Sequence, residues 1–384
     1  MSNDQNHSTP ENSRRTVLKW GTRVAAGAAT SLILGYNKIA RGQDYKGKVL
    51  NMLSWPGHGD PYMVGPFEEK YGVKVKVKEY VGGDQLLAIV NSTPPGTYDV
   101  ILADAEVVEQ LISGNQIIQI NPSDYPFEQY WPQFQHFESH WQDGKLYAVM
   151  LRFGYLGIAY NSKLLSPKDV ESYKILWDPK VKGKVGWFDW YLPSMGVLSL
   201  YLGNRPPYDI NNAAFDKLKS TLFSLKPQTS GYFQMADLFS SLSNEQAWLV
   251  PGIGDWVALL LEDQGHPIKA IVPNEGGLQW TESLSIARGA PNPDLAREYI
   301  RYATSPEGQL RTATLKSYAA AIPNMEGWKL LAERMPNWAD RLRLRINQRN
   351  VMDEYKEGKI FIRKLPKQQS IEDWNEAWTR FKST

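Results

Sequence analysis

Alternating strand and helix patterns predict an α/β fold with a parallel sheet. The first such stretch runs strand, helix, strand, helix, strand, at residues 48–54, 61–71, 73–80, 84–90 and 98–103. The first and last strands are nearly continuous apolar runs, as in strands that are buried on both faces. Strands and helices that alternate at this spacing are typical of parallel sheets with helices on their faces.

A second series of elements begins after a long apolar segment at 144–161. Gly154 and Gly157 interrupt this segment, so we expect two strands that meet at a kink. The predicted strands beyond it are 184–187, 248–252, 269–273 and 283–287. The predicted helices are 194–202, 211–225, 235–242, 256–263, 294–303, 306–312, 328–334, 351–358 and 371–381. This part of the chain is therefore also predicted to be α/β.

The predicted sheet suggests where a ligand binds. In open parallel sheets, ligands lie beyond the carboxyl ends of the strands. Two such ends are Ser54-Trp55 and Ala103-Asp104. These residues are the first candidates for ligand contacts.

Length and composition exclude several classes of protein. The chain has 384 residues, enough for two or three domains, with 42% hydrophobic and 22% charged residues. The net charge of +2 lacks the basic excess expected of a nucleic-acid-binding protein. There is no cysteine, which excludes disulfides, thiolate metal sites and cysteine nucleophiles. Fourteen tryptophans and 20 tyrosines are the unusual feature of the composition.

Residues 1–42 are typical of an export signal. Arg14 and Arg15 precede an apolar run at 24–35, and small residues follow near a cleavage site before Gln43. The arginine pair resembles a twin-arginine signal. The apolar run has about twelve residues, whereas a membrane-spanning helix needs roughly twenty. We therefore predict a cleaved signal, a periplasmic location and a mature chain with 37 basic and 39 acidic residues.

Seven segments, in the same order, resemble the spermidine/putrescine-binding type of periplasmic solute-binding proteins of ABC importers. They lie at 53–55, 67–75 (FEEKYGVKV), 98–100, 157–161, 177–185, 273–280 and 305–309. The resemblance implies two α/β lobes of the type II periplasmic binding protein fold, with two crossing strands between them. It places 43–153 and 283–322 in lobe 1, and 154–282 and 323–384 in lobe 2. It also implies a monomer that delivers a small solute to a membrane permease and its ATPase, with no cofactor and no metal.

The resemblance assigns ligand contacts to individual residues. Trp55 matches an aromatic residue that stacks on the ligand, and His58 falls near a family tyrosine. Trp280 and Glu282 match a tryptophan and an acidic residue on the returning strand, where Glu282 would hold an ammonium group. Tyr318 matches a late tyrosine contact. An amine-bearing, polyamine-like solute is the ligand that the resemblance implies.

The chain departs from the family pattern at four positions, one of them Pro251, where relatives have a tryptophan. Asp104 stands where relatives have a serine. We expect Asp104 either to contact the ligand or to cap a helix. Two acidic residues of relatives fall at Trp190 and Pro193, with Asp189 one residue away. One end of a polyamine site is therefore altered.

Arg152 stands where relatives are apolar, and it opens an alternative ligand class. A guanidinium suits a carboxylate or phosphonate, so a zwitterion such as an amino acid derivative, opine or aminophosphonate is the alternative solute. A carbohydrate remains open because tryptophans also stack on sugars. A hydrolytic enzyme is the distant alternative, since the chain has no Gly-x-Ser-x-Gly sequence and no phosphate-binding loop.

Overall fold

The computed structural model describes residues 45–383, so the predicted export signal at 1–42 lies outside the described residues. Twelve strands occur in this range: β1 Val49–Ser54, β2 Lys74–Glu79, β3 Val100–Asp104, β4 Trp141–Gln142, β5 Lys145–Leu146, β6 Val149–Asn161, β7 Val185–Phe188, β8 Thr229–Phe233, β9 Leu249–Gly254, β10 Ile268–Ile271, β11 Gly277–Ile286 and β12 Ile360–Ile362. Ten of them form one mixed sheet.

Fourteen α-helices surround the sheet within the same range: α1 Pro61–Tyr71, α2 Gly83–Ser92, α3 Ala105–Ser113, α4 Pro132–Gln135, α5 Tyr191–Tyr201, α6 Asn212–Ser224, α7 Met235–Ser243, α8 Asp255–Asp263, α9 Pro293–Thr304, α10 Pro306–Ala313, α11 Met325–Arg334, α12 Pro336–Arg341, α13 Met352–Lys356 and α14 Ile371–Ser383. The predicted α/β class is confirmed. None of the helices described between residues 45 and 383 is both long enough and apolar enough to span a membrane.

The first helix shows how the sequence sets an element's bounds. The Asp60 carboxylate accepts a hydrogen bond from the Tyr62 backbone N–H at 2.8 Å, and proline occupies the first helical position. The helix ends at Gly72, whose φ of 65° is the left-handed conformation that glycine adopts without strain. The sequence signals therefore predicted α1 to the residue.

The main sheet has the strand order β2-β1-β3-β11-β6-β9-β7-β8, with β10 on β6 and β12 on β11. Strands β2, β1 and β3 are parallel, and β11 then runs antiparallel to both β3 and β6. On the other side, β9 is antiparallel to β6, while β7 is parallel to β9 and to β8. The long strands β6 and β11 thus join two parallel groups.

These two strands pass from one hydrophobic core to another. In β6, Val149 and Phe153 pack in a core with the helices that follow β1 and β11, whereas Ile158 and Tyr160 pack in a second core. The chain therefore has two centres of packing connected by a pair of crossing strands.

The prediction of two strands that meet at the glycines of 144–161 is wrong, although the pairing of β6 with β9 is irregular between Gly157 and Ile158. β6 runs unbroken for 13 residues through both glycines, and only the short β5 precedes it. Gly157 instead allows two strands to lie close together, because a Cβ at this position would lie 2.1 Å from the Ile271 carbonyl oxygen of β10. The missing side chain therefore lets β10 pair with β6.

The predicted lobe boundaries remain a proposal, and the packing suggests one refinement. In the C-terminal segment, Trp328 and Leu331 pack in the first core, whereas Trp374 and Trp378 pack in the second. We propose that residues 323–384 are shared between the lobes rather than belonging wholly to lobe 2.

Gly157→Ala is expected to destabilise the protein by about 1–3 kcal/mol, because the new methyl group meets backbone that cannot move without breaking β10 from β6. The matched control is Gly65→Ala in α1, where a Cβ has no neighbour within 4 Å. That change should be neutral or stabilising by up to about 1 kcal/mol. Thermal unfolding of both variants checks the prediction, and equal melting temperatures would contradict it.

Candidate functional site

Three charged residues form a row across neighbouring strands at the point where the crossing strands leave the first core. In the strand register, Glu282 of β11 lies opposite Asp104 of β3 on one side and opposite Arg152 of β6 on the other. Residues directly opposite each other in antiparallel strands have their side chains on the same face. The row therefore brings two carboxylates and a guanidinium to one face of the sheet.

Arg152 and Glu282 form a bidentate ion pair. Nε of Arg152 donates to Oε2 of Glu282 at 2.6 Å, and Nη2 donates to Oε1 at 3.0 Å. Nη1 donates to the Tyr318 carbonyl oxygen at 2.6 Å. The two side chains are 1% and 8% exposed, so the pair is almost fully removed from water. Fork geometry of this kind is the strongest form of the arginine–carboxylate contact.

His58 completes the surroundings of Glu282, with its Nε2 3.0 Å from Oε2. Burial would raise the pKa of Glu282, but the Arg152 charge and the His58 hydrogen bond outweigh it and lower the pKa to about 2. Burial and the Arg152 charge lower the pKa of His58. His58 is therefore a neutral imidazole and Glu282 a carboxylate near neutral pH.

A second buried arginine holds the other end of the row. Arg363 follows β12, and its backbone N–H donates to the Gln279 carbonyl of β11 at 3.0 Å. Its Nη2 donates to Asp104 at 2.7 Å, and its Nε donates to Glu106 at 2.8 Å. The other Asp104 oxygen accepts a hydrogen bond from the Trp55 indole at 3.1 Å. Asp104 stands at the start of α3 but makes no side-chain cap there.

The electrostatics of this cluster differ from those around Glu282. Burial raises the pKa of both Asp104 and Glu106 against the opposing charge of Arg363, and the pKa of Glu106 reaches about 7. Burial would lower the pKa of Arg363, but the two carboxylates outweigh it and raise that pKa. Arg363 thus stays charged, and its guanidinium carbon lies 4.5 Å from the ring centroid of Trp190.

The row borders a cavity with an empty volume of about 580 Å³, part of which is open solvent. Seven of the ten predicted contact residues line it: Trp55, Asp104, Arg152, Trp190, Trp280, Glu282 and Tyr318. Eight further residues complete the lining: Leu156, Phe188, Pro193, Met235, Gly252, Ile253, Trp256 and Arg363. Six of the fifteen are aromatic, so a ligand here would meet several aromatic rings.

Three predicted contact residues do not line the cavity. Ser54 is fully buried, with its hydroxyl bonded to the Trp55 carbonyl. His58 lies behind Glu282, as described above. Asp189 accepts hydrogen bonds from the Trp378 indole at 2.9 Å and from Lys382 at 2.7 Å, so the last helix holds it away from the cavity.

Two important lining residues were missed in the sequence. Trp256 lies at the start of α8, and its ring packs edge-on against Tyr318 with centroids 5.1 Å apart. Trp256 comes two residues after the end of β9, and this position could have identified it as a contact residue, because ligands bind beyond the carboxyl ends of strands. Arg363 had no comparable signal, since β12 has only three residues and its parallel partner on β11 lies more than 80 positions earlier.

Comparison with known proteins places the chain in a family. A family model described as bacterial extracellular solute-binding protein matches residues 62–337. The spermidine/putrescine-binding periplasmic protein of Escherichia coli (strain K12) is 24% identical over 327 residues, 83% of this chain and 88% of that protein.

Solved structures share the fold. The spermidine/putrescine ABC transporter substrate-binding protein of Streptococcus pneumoniae superposes with a TM-score of 0.72 at 16% identity, covering 88% of this chain and 99% of that chain. The structure of a GABA receptor gives a TM-score of 0.66 at 19% identity, covering 87% of this chain and 97% of that chain. The predicted two-lobed type II fold is confirmed. Like these relatives, the chain is a binding protein and not an enzyme, and it belongs to the bacterial extracellular solute-binding proteins.

Proposed function

We propose that this protein is the extracytoplasmic component of an ABC importer and that it captures a small solute carrying one ammonium group. The observation that carries the proposal is that both carboxylates among the described residues lining the cavity, Asp104 and Glu282, are paired with arginines. Glu282 is held by Arg152, and both Asp104 and Glu106 are held by Arg363.

This pairing disfavours a polyamine. A diamine or triamine needs a carboxylate for each ammonium group that it buries, since unpaired buried charges are costly. Here the two guanidinium groups already occupy the positions beside the carboxylates. A second ligand cation would have to displace them or lie close to them, and like charges repel strongly in a dry cavity.

The aromatic lining suits a single ammonium group. Trp190, Trp256, Trp280 and Tyr318 present ring surfaces to the cavity, and an ammonium group over a desolvated indole gains roughly 2 kcal/mol. Arg152 already lies 5.8 Å from the Trp280 ring centroid and 5.9 Å from that of Tyr318. These rings therefore stabilise positive charge without a free carboxylate.

The volume of the cavity suits a small solute. Sites for small molecules usually measure about 300–1,000 Å³, and this cavity has about 580 Å³ with its open solvent included. The solutes for which relatives are named support an amine, because spermidine, putrescine and GABA all contain amino groups.

Transport follows from the family. The protein presents its loaded form to a membrane permease with an ATPase subunit, as the ABC importers of its relatives do. A monomer, a periplasmic location and export by the twin-arginine route remain predictions from residues 1–42 and from the resemblance.

Thermal unfolding with added solutes tests the proposal. The panel is 4-aminobutyrate, 4-aminobutanamide, putrescine, spermidine, an opine, an aminophosphonate and glucose. A bound solute at a hundred times its dissociation constant adds about 2.7 kcal/mol, which raises the melting temperature by about 5–10 °C. We expect the largest shift from a solute with one ammonium group. A larger shift from putrescine or spermidine would establish the polyamine alternative, and a shift from glucose alone would establish the carbohydrate alternative.

Trp256→Leu is the variant that tests the aromatic contact. It should weaken binding of the monoamine by about tenfold, because a cation–π contact contributes roughly 1 kcal/mol or more. Trp338→Leu is the matched control, since that ring packs on Arg341 away from the cavity. Equal affinities of the two variants would contradict the contact.

A further inference from the structure

We propose that Arg363 forms an anion-binding subsite, so that the solute is a zwitterion whose carboxylate or other small anionic group binds Nη1 of this residue. The inference rests on the proposed function, because it names the group at the other end of the same solute. It also assigns to Arg363 the role that the sequence suggested for Arg152.

The two arginines differ in how their nitrogens are used. All three nitrogens of Arg152 donate to an acceptor in the protein: two to Glu282 and one to the Tyr318 carbonyl. Arg363 uses Nε on Glu106 and Nη2 on Asp104, while its Nη1 forms no hydrogen bond with any residue from 45 to 383. Arg152 is therefore satisfied by the protein itself, whereas Arg363 retains an unused nitrogen.

The unused nitrogen belongs to a side chain that borders the cavity. Arg363 lines it, yet only 4% of the residue is exposed. Nη1 is not itself fully buried, so it stays open to the cavity. An oxygen of the solute could accept a hydrogen bond from it, and with a carboxylate that bond would be charge-assisted.

The guanidinium group is also held in one orientation. Asp104 and Glu106 fix two of its edges, and the Trp190 ring packs at 4.5 Å from its central carbon. The direction of Nη1 is thus set before any solute arrives. A donor that needs no reorganisation binds more tightly than a mobile one.

The charge of the cluster permits an anion. Burial raises the pKa of Asp104 and brings that of Glu106 to about 7, so near neutral pH the two carboxyl groups carry less than two negative charges beside Arg363. An anion on Nη1 therefore meets a group that is close to neutral overall. A second ammonium group at the same place would meet the guanidinium directly.

Three probes of equal chain length test the inference by calorimetry on the mature protein. They are 4-aminobutyrate, 4-aminobutanamide and putrescine, whose second ends are anionic, neutral and cationic. We expect 4-aminobutyrate to bind at least tenfold more tightly than 4-aminobutanamide. If these probes are too weak to measure, carboxylate and carboxamide pairs of the solutes found in the thermal screen replace them, with the same expectation.

Arg363→Gln is the decisive variant. It should abolish the preference for the acid over its amide and strengthen binding of putrescine, because Asp104 loses its partner. A gain in putrescine binding cannot come from misfolding. If the single variant is unstable, the double variant Arg363→Gln/Glu106→Gln takes its place, because it leaves only the Asp104 carboxylate without a partner. Arg363→Lys, which keeps the charge, should retain part of the preference.

The outcomes separate the inference from the proposed function. Equal binding of acid and amide to the wild type, or a preference for the acid that survives in Arg363→Gln, would overturn the anion subsite and leave a monoamine binder. Tightest binding of putrescine or spermidine to the wild type would overturn the proposed function itself. Loss of the acid preference in Arg363→Gln supports both.

Discussion

Arg152→Ala is expected to lower the free energy of unfolding by about 3–5 kcal/mol, because it leaves the buried Glu282 carboxylate without its bidentate partner. The Tyr318 carbonyl also loses its donor. The loss should appear as a lower midpoint in urea and a lower melting temperature. Because these groups border the cavity, the variant should bind solute more weakly as well.

Arg334→Ala is the matched control for this prediction. Its ion pair with Glu307 has a similar N–O distance of 2.7 Å, but the two side chains are 53% and 49% exposed. Exposed pairs contribute about 0–1 kcal/mol, so this variant should be nearly as stable as the wild type. Equal losses in the two variants would show that burial does not strengthen the Arg152 pair.

A double-mutant cycle separates the pair from the rest of the site. Glu282→Gln alone leaves the Arg152 charge unpaired, and so it should also be strongly destabilising. The double variant should cost less than the two single losses together, because neither unpaired charge remains. Strict additivity would mean that the two residues act on stability independently.

The sequence was sufficient for the local elements and for much of the cavity. Capping residues and turn glycines give α1 its limits, and the spacing of two between Trp280 and Glu282 places both on one face of β11. The end of β3 correctly pointed to Asp104 as a residue beside the cavity. These features depend on residues that are close together in the chain.

The partners of these residues could not be predicted in the same way. Arg363 reaches Asp104 across 259 positions, and Lys382 holds Asp189 across 193. Neither contact has a local pattern, because each depends on how the C-terminal segment packs over the finished sheet. The sequence also contained no sign that Arg152 and Glu282 pair with each other rather than with a solute, because their pairing follows from the strand register.

The stability of the protein should fall steeply in acid, and Glu282 should account for about 3 kcal/mol of the loss. Its pKa is about 2 in the folded protein against an ordinary value of 4.5. The unfolded chain therefore takes up a proton before the folded protein does. The contribution is complete above pH 4.5 and is lost as the pH falls toward 2. Urea unfolding at pH 6 and pH 3 should show about 2 kcal/mol of this loss, because the folded carboxylate is still mostly ionised at pH 3.

Glu106 provides a comparison with the opposite sign in the same site. Burial raises its pKa to about 7, so the folded protein holds a proton that the unfolded chain releases above pH 4.5. Its contribution is therefore lost as the pH rises from 4.5 through 7. Relative to wild type, Glu106→Gln should gain stability over that range, whereas Glu282→Gln should show a flatter decline between pH 6 and pH 3. The pKa values of Glu282 and Glu106 shift in opposite directions because of their partners. Arg152 donates two hydrogen bonds to Glu282 alone, whereas Arg363 donates one to Glu106 and one to Asp104. If both variants changed the pH profile in the same direction, this account of how the arginines divide their charge would be wrong.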